Sequence, residues 1–158
     1  MWACGKDHGL PPEQYDTFGA DRGSPQPRPI VSAPGDGDRL SKEHRLALVK
    51  VQHPDLDVLE YFVGGEYDSA GTHIHLRHAD CFHVLEGKLE LRADGELVRA
   101  EAGTTVVVPP GVVHEFTSVG RARFLNVHAP SCGFVDYLRK IDEGEDVDAA
   151  AYDVHELD

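Results

Sequence analysis

Ten histidines among 158 residues call for a chemical explanation. His73 and His75 stand two apart in Thr72–Leu76, a segment that alternates with period two. Residues i and i+2 of a strand share a face, so these two imidazoles project side by side, as two adjacent ligands of one metal require. Asp80 directly precedes the strand Cys81–Leu85. Alternation puts Asp80, Phe82 and Val84 on one face and Cys81, His83 and Leu85 on the other. His114 follows the tight Pro109-Pro110-Gly111 turn and alternates with Phe116. Three imidazoles and one carboxylate form a donor set suited to one divalent transition metal per chain, whether Fe, Mn, Ni, Co or Zn.

The remaining candidates have weaker claims. His78, in the loop between His75 and Asp80, is expected at the mouth of the site or around the ligands. His83 alternates outward. His128 lies on a late strand of undetermined facing. Cys81 and Cys132 have no visible activating partner and read as structural thiols. Cys4 makes the cysteine count odd, which argues against a disulfide framework.

Positioning such a site requires short strands and sharp turns, and the chain has both. His44–Val51, Asp57–Val63 and Arg121–Ala129 read as strands. Cys81–Arg92 reads as a hairpin turning near Glu86-Gly87, and Asp94-Gly95 marks a second hairpin. Thr104–Ser118 reads as two strands joined at Pro109-Pro110-Gly111. Regularly spaced turns between short strands indicate an all-β sandwich or barrel. The Pro- and Gly-rich residues 1–37 read as an arm in which Trp2, Tyr15 and Phe18 are possible anchors. Residues 38–130 form the barrel. Residues 131–158 form a C-terminal helical, acidic segment, with Phe134, Tyr137, Leu138 and Ile141 on one helical face and a solvated end.

Composition excludes several classes of function. A formal net charge of −13 disfavours nucleic acid and anionic membranes. No apolar run is long enough to span a bilayer, and the N-terminus lacks the apolar core of a secretory signal, so a cytoplasmic protein is expected.

Gly71-Thr72-His73-Ile74-His75, followed by Asp80 and Gly87, resembles the first motif of the cupin superfamily. Gly103, Pro109, Gly111 and His114 match the second in spacing. The chain resembles single-domain, quercetin-dioxygenase-like cupins. The resemblance implies a double-stranded β-helix, or jelly-roll barrel, with a C-terminal helix. It also implies a metal held by His73, His75, Asp80 and His114, and a homodimer. Two positions depart from the motifs. Asp80 stands where Glu is usual, a loss of roughly 1.5 Å in reach, and Ser118 stands where Asn is usual.

These features favour a metal-dependent dioxygenase acting on a small enol, phenol or carboxylate, with Asp80 as proton acceptor if it is free of the metal. Phe82, Val84, Val112, Phe116 and His78 are candidates for the substrate pocket. A metal-dependent sugar or keto-acid isomerase or epimerase is the first alternative. The lone Trp2 lies in the arm, which leaves no barrel Trp for sugar stacking. A non-enzymatic small-ligand-binding barrel is the second.

Overall fold

In the computed structural model, residues 28–65, 67 and 71–157 are described here. Most of the expected arm, including Trp2, Cys4, Tyr15 and Phe18, lies outside them. Strands β1 (Asp38–Lys42), β2 (Arg45–His53) and β3 (Leu56–Val63) precede the short β4 (His73–Ile74). Next come β5 (Ala79–Glu86), β6 (Lys88–Ala93), β7 (Glu96–Glu101), β8 (Thr105–Val108), β9 (His114–Ser118) and β10 (Ala122–Ala129). Helix α1 (Phe134–Glu143), a 3-10 turn (Ala149–Tyr152) and β11 (His155–Glu156) follow.

The strands form two antiparallel sheets. One has the order β1-β2-β3-β10-β5-β8 and the other β11-β4-β9-β6-β7. The side chains between them alternate as the sequence predicts. Along β5, Asp80, Phe82 and Val84 are buried, whereas Cys81, His83 and Leu85 are only partly so. The core stacks Tyr61 on Phe124 at 5.0 Å between ring centroids, with Phe82 and Phe116 tilted against the same cluster. This is the all-β barrel that the strand pattern indicates and the jelly roll that the motif resemblance implies.

Two connections differ from expectation. Asp94-Gly95 does form a hairpin between β6 and β7, with both residues at positive φ. Glu86-Gly87 does not. There β5 pairs with β10 and β8, while β6 pairs with β7 and β9, so the chain turns a corner between sheets. Gly87 is needed at this corner. Its φ is +78°, and an added Cβ would lie 2.2 Å from the Arg121 carbonyl oxygen. The segment around Pro109-Pro110-Gly111 likewise carries the chain from β8 in one sheet to β9 in the other.

Helix α1 covers part of one end of the barrel. Its buried residues are Val135, Tyr137 and Leu138, with Phe134 and Ile141 partly buried. No side chain caps its first turn through Gly133. Instead, the buried Asp57 carboxylate accepts from the Val135 amide at 3.3 Å and from Ser131 Oγ at 2.7 Å. A carboxylate at a helix N-terminus satisfies free amides and the helix dipole together. The acidic end departs from the solvated reading. Residues 153 and 154 are buried, and β11 pairs with β4. Among the described residues no helix is long and apolar enough to cross a membrane.

Candidate metal centre

The four residues singled out by spacing meet at one end of the barrel. Possible ligand atoms of His73, His75, Asp80 and His114 all lie within 4.8 Å of one another, and all four residues are buried. The sheet explains how. His73 on β4 sits opposite His114 on β9, with ring centroids 4.3 Å apart. His75 follows two residues later on the same face. Asp80 opens β5 in the facing sheet, and its Oδ2 lies 3.5 Å from His114 Nε2.

Backbone carbonyls fix the orientation of each ring. His73 Nδ1 donates to Gly71 O at 2.9 Å, His75 Nδ1 to Asp153 O at 2.7 Å, and His114 Nδ1 to Val112 O at 3.1 Å. A carbonyl only accepts, so each of these Nδ1 atoms carries the proton and each Nε2 keeps its lone pair. The Nε2 atoms of His75 and His114 are buried without a hydrogen-bond partner. Burial lowers the pKa of His73, and pushes that of His75 down to about 3, which favours the neutral form a metal requires. Burial works to raise the Asp80 carboxyl, but the surrounding imidazoles, His128 first, outweigh it and hold it at about 2. Neutral imidazoles with orphaned lone pairs around an ionised carboxylate fit a divalent cation, and a cation would satisfy the atoms that the protein leaves unpaired. The shorter Asp side chain still reaches the cluster.

Behind these ligands runs a polar chain that the spacing of the sequence did not reveal. Asp153 Oδ2 accepts from His78 Nδ1 at 2.8 Å, and His78 Nε2 meets His128 Nδ1 at 3.1 Å. His128 Nε2 meets Asn126 Oδ1 at 2.7 Å, and Asn126 Nδ2 donates to Asp80 Oδ1 at 2.5 Å. Two acceptor-only carboxylates thus end a chain of four links, to which two neutral imidazoles and one amide bring three donors. Closing every link takes one proton more. Burial opposes it, lowering His128 to about 4, so that proton is weakly held. Phe134 stacks on the His128 ring at 3.6 Å. Alternation from Phe124 through Asn126 to His128 could have signalled that these residues face inward. Nothing in the sequence pointed to Asp153. Its carboxylate also accepts the amides of Leu76, Arg77 and His78 at 3.0, 2.8 and 3.1 Å. Burial works to raise this group, but the amides outweigh it and hold it well below the usual carboxylate range.

A cavity of about 540 Å³ opens over the cluster, lined among others by His73, Asp80, Asn126, His128, Phe116 and Phe134. Of the expected pocket residues only Phe116 lines it. Phe82 and Val84 are fully buried between the sheets, where alternation continues past the site into the core. Val112 packs against that core, and its carbonyl serves His114. His78 is not at the mouth. It has no exposed surface and stands between Asp153 and His128. His83 faces outward and bonds to Thr105 Oγ1 at 2.8 Å. Ser118 serves the fold, accepting from the Tyr67 amide at 3.0 Å. Cys81 and Cys132 are free thiols, and burial raises both.

Fold and site together define a jelly-roll barrel with a buried histidine–carboxylate cluster of metal-binding type at one end. Residues 59–128 match the cupin domain family, and the jelly-roll fold and the histidine–carboxylate cluster agree with that match. Over 91 residues the chain is 28% identical to quercetin 2,3-dioxygenase of Bacillus subtilis (strain 168). That match covers 56% of this chain and only 27% of the relative's length. Among solved structures, KdgF from a Halomonas species superposes with a TM-score of 0.54 at 21% identity, covering 59% of this chain and 86% of that one. The cupin domain of Schizosaccharomyces pombe Cnp3 does so with a TM-score of 0.56 at 14% identity, covering 77% and 85%. At these identities the structural likeness is one of fold.

Proposed function

We propose that this cupin is a dioxygenase-type oxidoreductase that holds one divalent transition metal through His73, His75, Asp80 and His114 and acts on a small enol, phenol or carboxylate. The observation that carries this reading is the commitment of all three Nδ1 atoms to backbone carbonyls, which leaves the Nε2 lone pairs beside Asp80 at a cavity of about 540 Å³. The partial match to quercetin 2,3-dioxygenase supports the reaction class.

A bound transition metal would supply Lewis acidity toward a substrate oxygen and redox chemistry with O₂. The chain's own residues do the rest. The backbone carbonyls of Gly71, Val112 and Asp153 hold the imidazoles in one tautomer. Asn126 steadies Asp80 Oδ1 and leaves Oδ2 toward the cluster. Phe116 and Phe134 contribute apolar walls to the cavity.

A redox-neutral isomerase or epimerase is the second reading, favoured by the polar lining that Arg45, Asp142 and Asn126 contribute. One experiment separates the two. Protein purified without chelator is assayed for metal content, then incubated with enol, phenol and keto-acid panels in an oxygen electrode, with His75→Ala as control. Metal-dependent O₂ uptake, lost in the variant, supports the dioxygenase. Anaerobic incorporation of solvent deuterium without O₂ uptake supports the isomerase. Absence of any metal after anaerobic reconstitution refutes both.

A further inference from the structure

Two of the four clustered side chains are held in place from far along the chain. β4, which carries His73, has only two residues. It pairs with β9 at one position, His73 with His114, and with β11 at two, His155 with Ile74 and Glu156 with His73. The Leu157 amide donates to Thr72 O at 3.0 Å. Asp153 O receives His75 Nδ1, and the Asp153 carboxylate receives the amides of Leu76, Arg77 and His78. Every residue from Thr72 to His78 is thus paired with or hydrogen-bonded to residues 153–157. That segment holds the rest of the barrel lightly. Within residues 149–157 only Asp153 and Val154 are buried, β11 is an edge strand, and the link back to α1 through residues 143–146 is exposed. Tyr152 rests against Tyr137 and Lys140 of α1, 5.8 Å between ring centroids and 5.7 Å from Nζ to the ring. Little apolar burial and edge hydrogen bonds put a segment at the low end of local stability.

We infer that residues 148–157 form a metal-responsive strap, whose docking and the loading of the histidine–carboxylate cluster are one coupled equilibrium. This inference rests on reading His73, His75, Asp80 and His114 as a metal site. The coupling follows from the contacts. With the strap docked, His75 is oriented through Nδ1 and His73 is fixed by pairing on both sides. With the strap released, the ring loses its acceptor and β4 keeps one neighbour. Loss of such supporting partners lowers the affinity of a metal site about 10- to 100-fold. Linkage is reciprocal, so a bound metal must strengthen the docking of the strap by the same factor. Val154 and Glu156 also line the cavity, so the strap is part of its wall. Metal occupancy is thereby displayed at the surface: the loaded protein holds the strap down, and the empty one releases it more often and opens that wall.

Amide hydrogen exchange of the full chain, read by mass spectrometry with and without Zn(II), tests it, with Zn(II) binding measured in parallel by calorimetry. The amides of residues 151–157 are expected to exchange at least about tenfold more slowly when Zn(II) is bound. General stabilisation by a ligand slows amides that exchange through global unfolding, such as those of β2 and β3, and leaves a locally opening segment unchanged, so the two effects separate. His114→Ala removes a ligand that lies on β9, outside the strap's contacts. In that variant added Zn(II) is expected to leave the strap at its metal-free rate. Slowed exchange that persists there would put the cation on the strap's own His155 and Glu156 and overturn the inference. Tyr152→Ala loosens the hold on α1 and touches none of the four ligands. It is expected to speed exchange of the metal-free strap about two- to tenfold, the worth of an aromatic pair, while Zn(II) slows it by the same factor as in the parent. Zn(II) that binds the parent without slowing the strap overturns the inference and leaves the metal site standing. A parent that binds no Zn(II) overturns both.

Discussion

Asp153 lies more than seventy residues from the ligands it supports, and removing its carboxylate is the sharpest test of how the site is held. Asp153→Asn keeps the shape and the tolerance for a left-handed backbone that φ +62° demands. It halves the acceptors, however. Oδ1 serves the Leu76 amide, while Oδ2 serves the amides of Arg77 and His78 and the His78 ring. One amide oxygen can keep the Oδ2 contacts only by turning its NH₂ toward Leu76, so at least one bond is lost, a cost of about 1–3 kcal/mol. Asp153→Ala also strands the His78 amide and its Nδ1–H on a residue with no exposed surface, for about 2–6 kcal/mol. That is a large part of the roughly 5–15 kcal/mol that holds a domain folded. Because the same contacts orient the loop between His75 and Asp80, metal affinity should fall about 10- to 100-fold. Urea unfolding of the metal-free protein and competition with a chelator measure the two effects. Stability within about 0.5 kcal/mol of the parent in both variants, with unchanged metal affinity, would refute the argument.

Three further outcomes are expected. His75→Ala and His114→Ala should each lose stoichiometric metal by elemental analysis while keeping the far-ultraviolet signature of the barrel, and full retention in both would exclude the site. In the metal-free protein, His75 has a folded-state pKa of about 3 against 6.5 unfolded, so the unfolded chain binds more protons as pH falls through that window. Stability should therefore drop on going from pH 7.5 to 4.5, by about 2–3 kcal/mol from this group alone, and a urea midpoint that holds steady or rises would contradict it. Gly87→Ala should destabilise the fold by more than about 1 kcal/mol, because its Cβ would meet the Arg121 carbonyl oxygen at 2.2 Å in a left-handed conformation. A thermal midpoint equal to the parent's would remove the reason given for this corner.

The barrel and the cluster were legible in the sequence for the same reason. Period-two alternation is a local property, and it alone puts His73 beside His75 and turns Asp80 toward Phe82 and Val84. Alternation cannot say which strands pair. It therefore misassigned Glu86-Gly87, where a positive-φ glycine serves a change of sheet as readily as a hairpin. Nor does it say where the core ends and a cavity begins, and Phe82 and Val84 proved to be core. The return of residues 153–156 to the site depends on tertiary packing alone. An acidic stretch on the page looks solvated, and only the fold brings Asp153 under His78.

The ligand spacing also has a kinetic meaning. His73 and His114 are brought together by strand pairing across some forty residues, and His75 is fixed by a carbonyl nearly eighty residues away. Contacts of such long range close late, since a loop's entropy is lost before the contact that ends it can form. A short loop with clustered cysteines and histidines can seize a metal and fold around it. Here the order is reversed. The ligands converge only where the sheets have paired, so a metal at this site would meet a shaped site rather than a collapsing coil.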